Sequence, residues 1–233
     1  MCGRYVMSRA TGDLLSYFDA REAEGSAPPP SWNVAPTDDV AIIAERPTQD
    51  GPERRLLIAR WGLVPSWSKD IKIGSKLINA RSETILGKPA FRKAAVKRRA
   101  LVPAEGYYEW EKTEDGKKIP HFLYSETDEL LAFAGLYEFW PDPSLPEDDP
   151  HRWLLSCTVL TTTAHDSLGH VHDRAPVIVP REMYADWLDP GTTAKEDVQN
   201  LLETIPEPVL TPREVTDRVN SVRNNGPELI EPA

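Results

Sequence analysis

The second residue of the chain is a cysteine, in the run Met1-Cys2-Gly3-Arg4-Tyr5. Removal of Met1 would leave Cys2 with an amine and a thiol on adjacent carbons. An internal cysteine cannot offer that pair, because its nitrogen is held in an amide. Such an aminothiol condenses with an aldehyde to an imine, and the thiol then closes a thiazolidine ring. The α-amine titrates at about 7.7–8.0 and a free thiol at about 8.5, so both are expected to be nucleophilic near neutral pH. Taken alone, a cysteine here reads as an accident of a terminus that frays. Other segments must decide it.

Three of them place polar groups among apolar neighbours: Ile78-Asn-Ala-Arg-Ser-Glu83, Val102-Pro-Ala-Glu-Gly-Tyr-Tyr-Glu-Trp110 and Gly169-His-Val-His-Asp-Arg-Ala-Pro-Val177. Glu105 closes an apolar run before a glycine turn, where partial desolvation would lift its pKa toward the range useful for proton transfer. Glu109 and Glu111 flank Trp110 and read as solvent-facing strand residues. His170 and His172 are two apart, so on a strand they share a face, as a metal pair would. The chain lacks a second strong Cys/His cluster, and His165, Asp166 and Asp173 make only a loose set, so neither metal nor other cofactor is expected. His172 instead reads as an acid/base or hydrogen-bond donor, its ring fixed by the turn at Asp173-Arg174 and Pro176. Asn79 has an amide able to orient a sugar or an amine, and Arg81 a fork of donors suited to phosphate. Trp32-Asn33-Val34-Ala35-Pro36-Thr37 and Trp61-Gly-Leu-Val-Pro-Ser-Trp67 add aromatic and proline surfaces. Trp61 is expected in the core and Trp67 on the surface, where it could stack an unpaired base.

The elements that must position these groups are short. Strands are predicted at Arg4–Met7, Val40–Ala44, Leu56–Trp61, Ala100–Val102, Tyr107–Trp110, Pro120–Tyr124, Leu130–Leu136, Trp153–Thr161 and Pro176–Val179. Their bounding Gly, Pro and Asp residues favour hairpins over crossovers. Helices are predicted at Gly12–Ala20, Pro89–Arg98, Pro180–Leu188 and Ala194–Thr204. The acidic, proline-rich run Pro141–Pro150 reads as an exposed insertion between strands. The expected class is α+β: a single domain over residues 1–233, mostly antiparallel sheet in a barrel-like or sandwich-like arrangement, with flanking helices.

Composition bounds the setting. Two cysteines among 233 residues are too few for a disulfide framework and fit a reducing compartment, with Cys157 a buried strand residue. No apolar stretch approaches the length of a membrane span, so a soluble, cytoplasmic protein is expected. The net charge is −10, yet Arg54 to Arg99 holds thirteen Lys/Arg against two acids, a local balance of +11 that leaves −21 on the remainder. That asymmetry is what a polyanion site on an acidic body would produce.

Taken together, these segments resemble the SRAP family, the SOS-response-associated peptidase or abasic-site-processing proteins. The resemblance rests on Met-Cys-Gly-Arg-Tyr at the start, Asn33-Val-Ala-Pro36, Trp61-Gly-Leu-Val-Pro65, Asn79-Ala-Arg81, Pro103-Ala-Glu-Gly-Tyr-Tyr-Glu-Trp110, His172-Asp-Arg-Ala-Pro176 and the final Val219-Asn-Ser-Val-Arg-Asn-Asn225. Ala175 departs from the larger residue the family often carries, a change expected to alter packing rather than chemistry. The resemblance implies a monomer that recognises abasic sites in single-stranded DNA and becomes joined to them through Cys2. It implies catalytic roles for Cys2, Asn79, Glu105 and His172, and a DNA-facing set of Arg4, Asn33, Pro36, Trp67, Arg81 and Arg174. Autoproteolytic removal of Met1 and weak lyase activity by β-elimination fit the same chemistry. The rival readings are a thiol peptidase acting in trans and a non-catalytic single-strand-binding module.

Overall fold

The longest apolar strands pair with their neighbours in sequence. β4 (Asp39–Thr48) and β5 (Gly51–Trp61) form one hairpin, and β10 (Leu131–Pro141) and β11 (Trp153–Thr163) another. β7 (Arg99–Ala104) lies between β4 and β10, antiparallel to both. A parallel contact of β11 with β5, through Ser156 opposite Arg60 and Cys157 opposite Trp61, closes the ring. The result is a five-stranded barrel inside the larger sheet, and closure removes the edges an open sheet would leave unpaired. Three short strands extend it: β2 (Arg21–Glu22) on β5, and β6 (Asn79–Arg81) and β12 (Arg174–Pro176) on β11. The structure, a computed structural model, describes residues 2–22, 27–164 and 172–233.

A second, antiparallel sheet of five strands runs β13 (Thr211–Glu214), β9 (Lys118–Tyr124), β8 (Gly106–Lys112), β1 (Tyr5–Met7) and β3 (Ser31–Val34). The shortest passage between barrel and second sheet is the corner Glu105-Gly106, between β7 and β8. A Cβ at Gly106 would lie 2.6 Å from the Leu123 carbonyl oxygen and 2.4 Å from Phe122, so only glycine lets β9 approach there. Among the described residues four helices flank the sheets: α1 (Thr11–Phe18), α2 (Arg92–Lys97), α3 (Tyr184–Leu188) and α4 (Lys195–Thr204). Leu14 and Phe18 of α1, Ala94 and Ala95 of α2 and Trp187 of α3 join one apolar cluster.

A second cluster fills the barrel and its junction with the other sheet. It holds Cys2, Tyr5, Trp61, Tyr107, Phe133 and Cys157. Tyr5 meets Trp61 and Phe133 edge-on, at centroid separations of 5.3 and 5.9 Å. The terminal segment therefore lies on an aromatic floor rather than fraying. The second sheet is covered on its other face too, where Tyr108, Phe122, Val215 and Val219 pack together.

The α+β class and the hairpins follow the expectation, and Pro141–Pro150 forms turns at the far end of the β10–β11 hairpin. Cys157 is fully buried, and burial raises its thiol pKa. β2, β3, β6 and β13 were not predicted, and the strand expected over Pro176–Val179 instead spans Arg174–Pro176. The parallel pairings of β2, β5, β6 and β11 also depart from an all-hairpin reading. Among the described residues, no helix is long and apolar enough to cross a membrane.

Candidate active site

β1 runs antiparallel to β8 with Tyr5 opposite Tyr107 and Val6 opposite Gly106, and the Tyr108 N–H donates to the Arg4 carbonyl. Continued two residues toward the terminus, that register sets Gly3 opposite Glu109. Alternation along β8 puts Tyr107 and Glu109 on one face and Tyr108 and Trp110 on the other. Tyr107 packs in the cluster that holds Cys2, so Glu109 faces the terminus, not solvent. It is 3% exposed. The expectation of a solvent-facing Glu109 is corrected: both faces of this sheet are covered, so flanking a tryptophan did not mean facing water. With Met1 in place, burial raises the Glu109 pKa to about 7, the positive Met1 amine opposes the rise, and Asp173 adds to it.

Glu105 sits elsewhere. At the corner between β7 and β8 its backbone N–H donates to the Val6 carbonyl, while its carboxylate accepts the Ser8 N–H and lies 3.8 Å from Arg9. These partners fasten the strand that follows Cys2. The buried carboxylate beside Cys2 is Glu109, four residues along. Period-two alternation from Tyr107 was the signal that could have found it.

Cys2 itself is fully buried. Burial, then the negative charge of Glu109, pushes its thiol well above the ordinary value. With Met1 in place, this sulfur is therefore held as the neutral thiol. Asn79 secures the residue from the other side, its Nδ2 donating to the Cys2 carbonyl at 2.7 Å. That donation fixes the amide orientation and leaves Oδ1 buried, with no hydrogen-bond partner among the described residues. The site thus has an acceptor open beside Cys2. β6 carries Asn79 next to β11 through the pair Asn79 and Val159, and alternation puts exposed Arg81 on the same side as Asn79.

His172 precedes β12. Its Nδ1 accepts the Arg174 N–H at 3.0 Å and lies 2.8 Å from an Asp173 carboxylate oxygen. One nitrogen cannot satisfy both in a neutral ring. Burial, then the positive terminus, lowers the His172 pKa, and Asp173 is a solvated carboxylate, so we assign Nδ1 as acceptor and Nε2 as the protonated atom. With Met1 in place its amine and the Asp173 carboxylate act on both Glu109 and His172, and that amine and Glu109 act on Cys2, so the three side chains share one electrostatic environment. Asn79 bonds to Cys2 and Glu109 acts on its thiol, His172 is joined to Glu109 through the charges they share, and Glu105 is held instead by Ser8 and Arg9. His165, Asp166 and His170 lie outside the described residues, so the histidine pair is not placed. Among the described residues no group of three His, Cys, Asp or Glu could hold a metal ion.

The DNA-facing set divides. Trp67 is 58% exposed on the loop after β5, which is well anchored: Ser68 O accepts the Trp140 indole N–H at 2.7 Å, and Leu63 N–H reaches Leu77 O at 3.2 Å. That loop also carries exposed Lys69, Lys72 and Lys76, and its two ends meet beside Asn79. Pro36 is half-buried in the turn between β3 and β4. Asn33 is 4% exposed and tethers the C-terminal segment, its Nδ2 donating to the carbonyls of Ser221 at 3.0 Å and Asn224 at 2.9 Å. Arg4 does the same, donating to Asn33 Oδ1 and the Val219 carbonyl, both at 2.9 Å. Arg174 grips Glu83 with both terminal nitrogens, at 2.6 and 3.0 Å. The basic tally from Arg54 to Arg99 likewise overstates the free charge. Arg54 pairs with Glu45, Arg55 with Glu53 and Arg98 with Glu138, while buried Arg99 donates to the carbonyls of Ala95, Trp187, Asp189 and Thr192.

Residues 1–222 match the family described as SOS response associated peptidase (SRAP). The chain belongs to the SRAP family. It is 40% identical over 233 residues to the abasic site processing protein YoqW of Bacillus subtilis, covering 99% of each chain. It is 30% identical to the abasic site processing protein HMCES of Gallus gallus, spanning all of this chain and 78% of that one. A crystal structure of a protein from Bacteroides thetaiotaomicron shares the fold, with a TM-score of 0.80 at 24% identity over the whole of both chains.

Proposed function

We propose that this SRAP protein processes abasic sites in single-stranded DNA, joining itself to the lesion through Cys2 once Met1 is gone. The observation that carries the reading is the arrangement at Cys2, whose carbonyl Asn79 holds at 2.7 Å beside a carboxylate that burial raises to about 7. The named relatives supply the substrate class; an abasic deoxyribose opens to an aldehyde, the electrophile that an amine-thiol pair captures.

Because the thiol is neutral, the amine attacks first. Glu109, with a pKa near the working pH, takes the proton from the Cys2 ammonium and can return it as water leaves the carbinolamine. As the C1–O bond of the sugar ring breaks, the C1 hydroxyl becomes the aldehyde and its proton passes to the ring oxygen, toward which neutral His172 donates a hydrogen bond from Nε2. The Cys2 sulfur then adds to the imine carbon, and its proton passes to the imine nitrogen, by way of Glu109, to give the thiazolidine. Asn79 Oδ1 accepts a hydrogen bond from the amine or a sugar hydroxyl. Holding amine, thiol and aldehyde in one place supplies much of the acceleration. The imine also offers a route to strand cleavage by β-elimination. Trp67 and Arg81 present stacking surface and charge for the flanking strand. Cytoplasmic location and a monomeric state accompany this reading.

Intact mass spectrometry with an abasic single-stranded oligonucleotide tests it. The wild type, lacking Met1, is expected to gain the oligonucleotide mass less one water; Cys2→Ala is expected to gain none. An equal adduct on Cys2→Ala would remove Cys2 from the reaction. A thiol peptidase acting in trans would need a thiolate, and burial of this sulfur opposes one.

A further inference from the structure

Arg174 is held from two directions. Its Nη2 donates to the Thr161 carbonyl at 2.6 Å and to Thr161 Oγ1 at 3.3 Å, which ties the side chain to β11. Nη1 and Nη2 together grip the Glu83 carboxylate, and Nη1 also reaches Thr163 Oγ1 at 3.4 Å. The two partners differ in freedom: the Arg174 side chain is 12% exposed, that of Glu83 47%. Glu83 follows β6 in a turn and lines a cavity of about 700 Å³ between β11, β12, α4 and residues 205–210, so a released carboxylate has room to move. Arg81, exposed and two residues away, also acts on Glu83. A carboxylate gripped by both arms of a guanidinium presents the same two-oxygen face as a phosphodiester.

We propose that Glu83 is a placeholder for a backbone phosphate: it keeps the Arg174 fork formed in the free protein and leaves when a DNA phosphate takes its seat. This rests on the proposed DNA function and adds to it a residue that sets affinity. Displacement costs the ion pair, so Glu83 weakens binding to any strand while holding the arginine in its binding geometry. It acts through Arg174 and is a positioning residue.

The test measures equilibrium binding to a single-stranded oligonucleotide bearing a tetrahydrofuran abasic analogue, which lacks an aldehyde, across a salt series. Glu83→Gln is expected to bind about three- to fivefold tighter than wild type, the worth of a partly exposed ion pair. Its salt dependence should steepen by about 0.7 in log–log slope, one phosphate on a single strand. In an Arg174→Gln background the same change should yield no gain; Arg174→Lys, which keeps charge without the fork, is the second background if that variant melts early. No gain from Glu83→Gln alone, or an equal gain in every background, overturns the proposal, the latter by showing simple removal of a negative charge. Crosslinking of the wild type to an aldehyde-bearing abasic strand is scored separately. If it occurs while Glu83→Gln is neutral, only the placeholder fails; if the wild type neither binds nor crosslinks, both readings fall.

Discussion

Burial sets the chemistry of Glu109. Ionising it within the fold is harder than in the unfolded chain, so as pH rises from 4.5 the unfolded state loses its proton first. Stability therefore falls as pH climbs to about 7 and then levels, by at most about 3 kcal/mol for a shift of this size. Glu109→Gln removes that penalty. Its melting temperature relative to wild type is expected to rise between pH 5 and pH 8, and a difference that stays flat would mean the carboxylate ionises in the fold as readily as in water. The same variant is expected to lose the rise in crosslinking rate through about pH 7 that a base of that pKa produces. Glu105→Gln should instead cost about 1 kcal/mol through the Ser8 and Arg9 contacts, with the pH profile of crosslinking kept. Cys2, Asn79 and His172 stood out in the sequence because their types and neighbours suggested chemistry. Glu109 was read as solvent-facing because sequence gives alternation but not which face is covered. Glu105 lies at a strand corner, whereas Glu109 faces inward only because β1 lies alongside β8 and the barrel lies beneath.

At the scale of elements, the loop between β5 and β6 depends on two glycines in contact. Gly62 has a φ of 134°, in the region that favours glycine, and a Cβ there would lie 2.6 Å from the Gly74 carbonyl oxygen. A Cβ on Gly74 would lie 2.5 Å from the Gly62 carbonyl oxygen and 3.1 Å from Val64. Neither neighbour is a flexible side-chain end, so backbone must move. Gly74→Ala is expected to destabilise by about 1–3 kcal/mol and to displace the loop that carries Trp67, Lys69 and Lys72. The measurement is paired: thermal melting for the strain, and quenching of Trp67 fluorescence by a single-stranded oligonucleotide for the lost presentation. Unchanged melting would show that the two backbones separate without cost. Nothing in the chain announces this contact, since Gly62 and Gly74 are twelve residues apart and meet only because Trp61 and Leu77 anchor the loop ends. Hairpins, by contrast, were legible from local pattern, as β4–β5, β8–β9 and β10–β11 show. β6 and β12 were not, because three-residue strands are made by the edge of β11 rather than by their own sequence.

Across the whole molecule, the two ends of the chain hold each other, which explains why an N-terminal residue can be buried and fixed. Arg4 and Asn33 bind the carbonyls of Val219, Ser221 and Asn224, the Trp110 indole donates to Asn220, and Asn225 accepts the Trp32 N–H. The terminal asparagines singled out in the sequence therefore act as a latch behind Cys2, with the buried Glu109 on the other face of the sheet. Asn33→Ala would leave three carbonyls and the Arg4 guanidinium short of partners in a site that is 4% exposed at Asn33. A loss of about 2–4 kcal/mol is expected, seen in a chain of this length as roughly 5–12 °C in melting temperature. Limited proteolysis should then cut between 217 and 225 sooner than in wild type. Because Arg4 is two residues from Cys2, the crosslinking rate should fall as well, while equilibrium affinity for an aldehyde-free strand stays near wild type. That split separates the latch from a DNA contact: if Asn33 faced the strand, affinity would drop with the rate, and the C-terminal segment would resist protease as before.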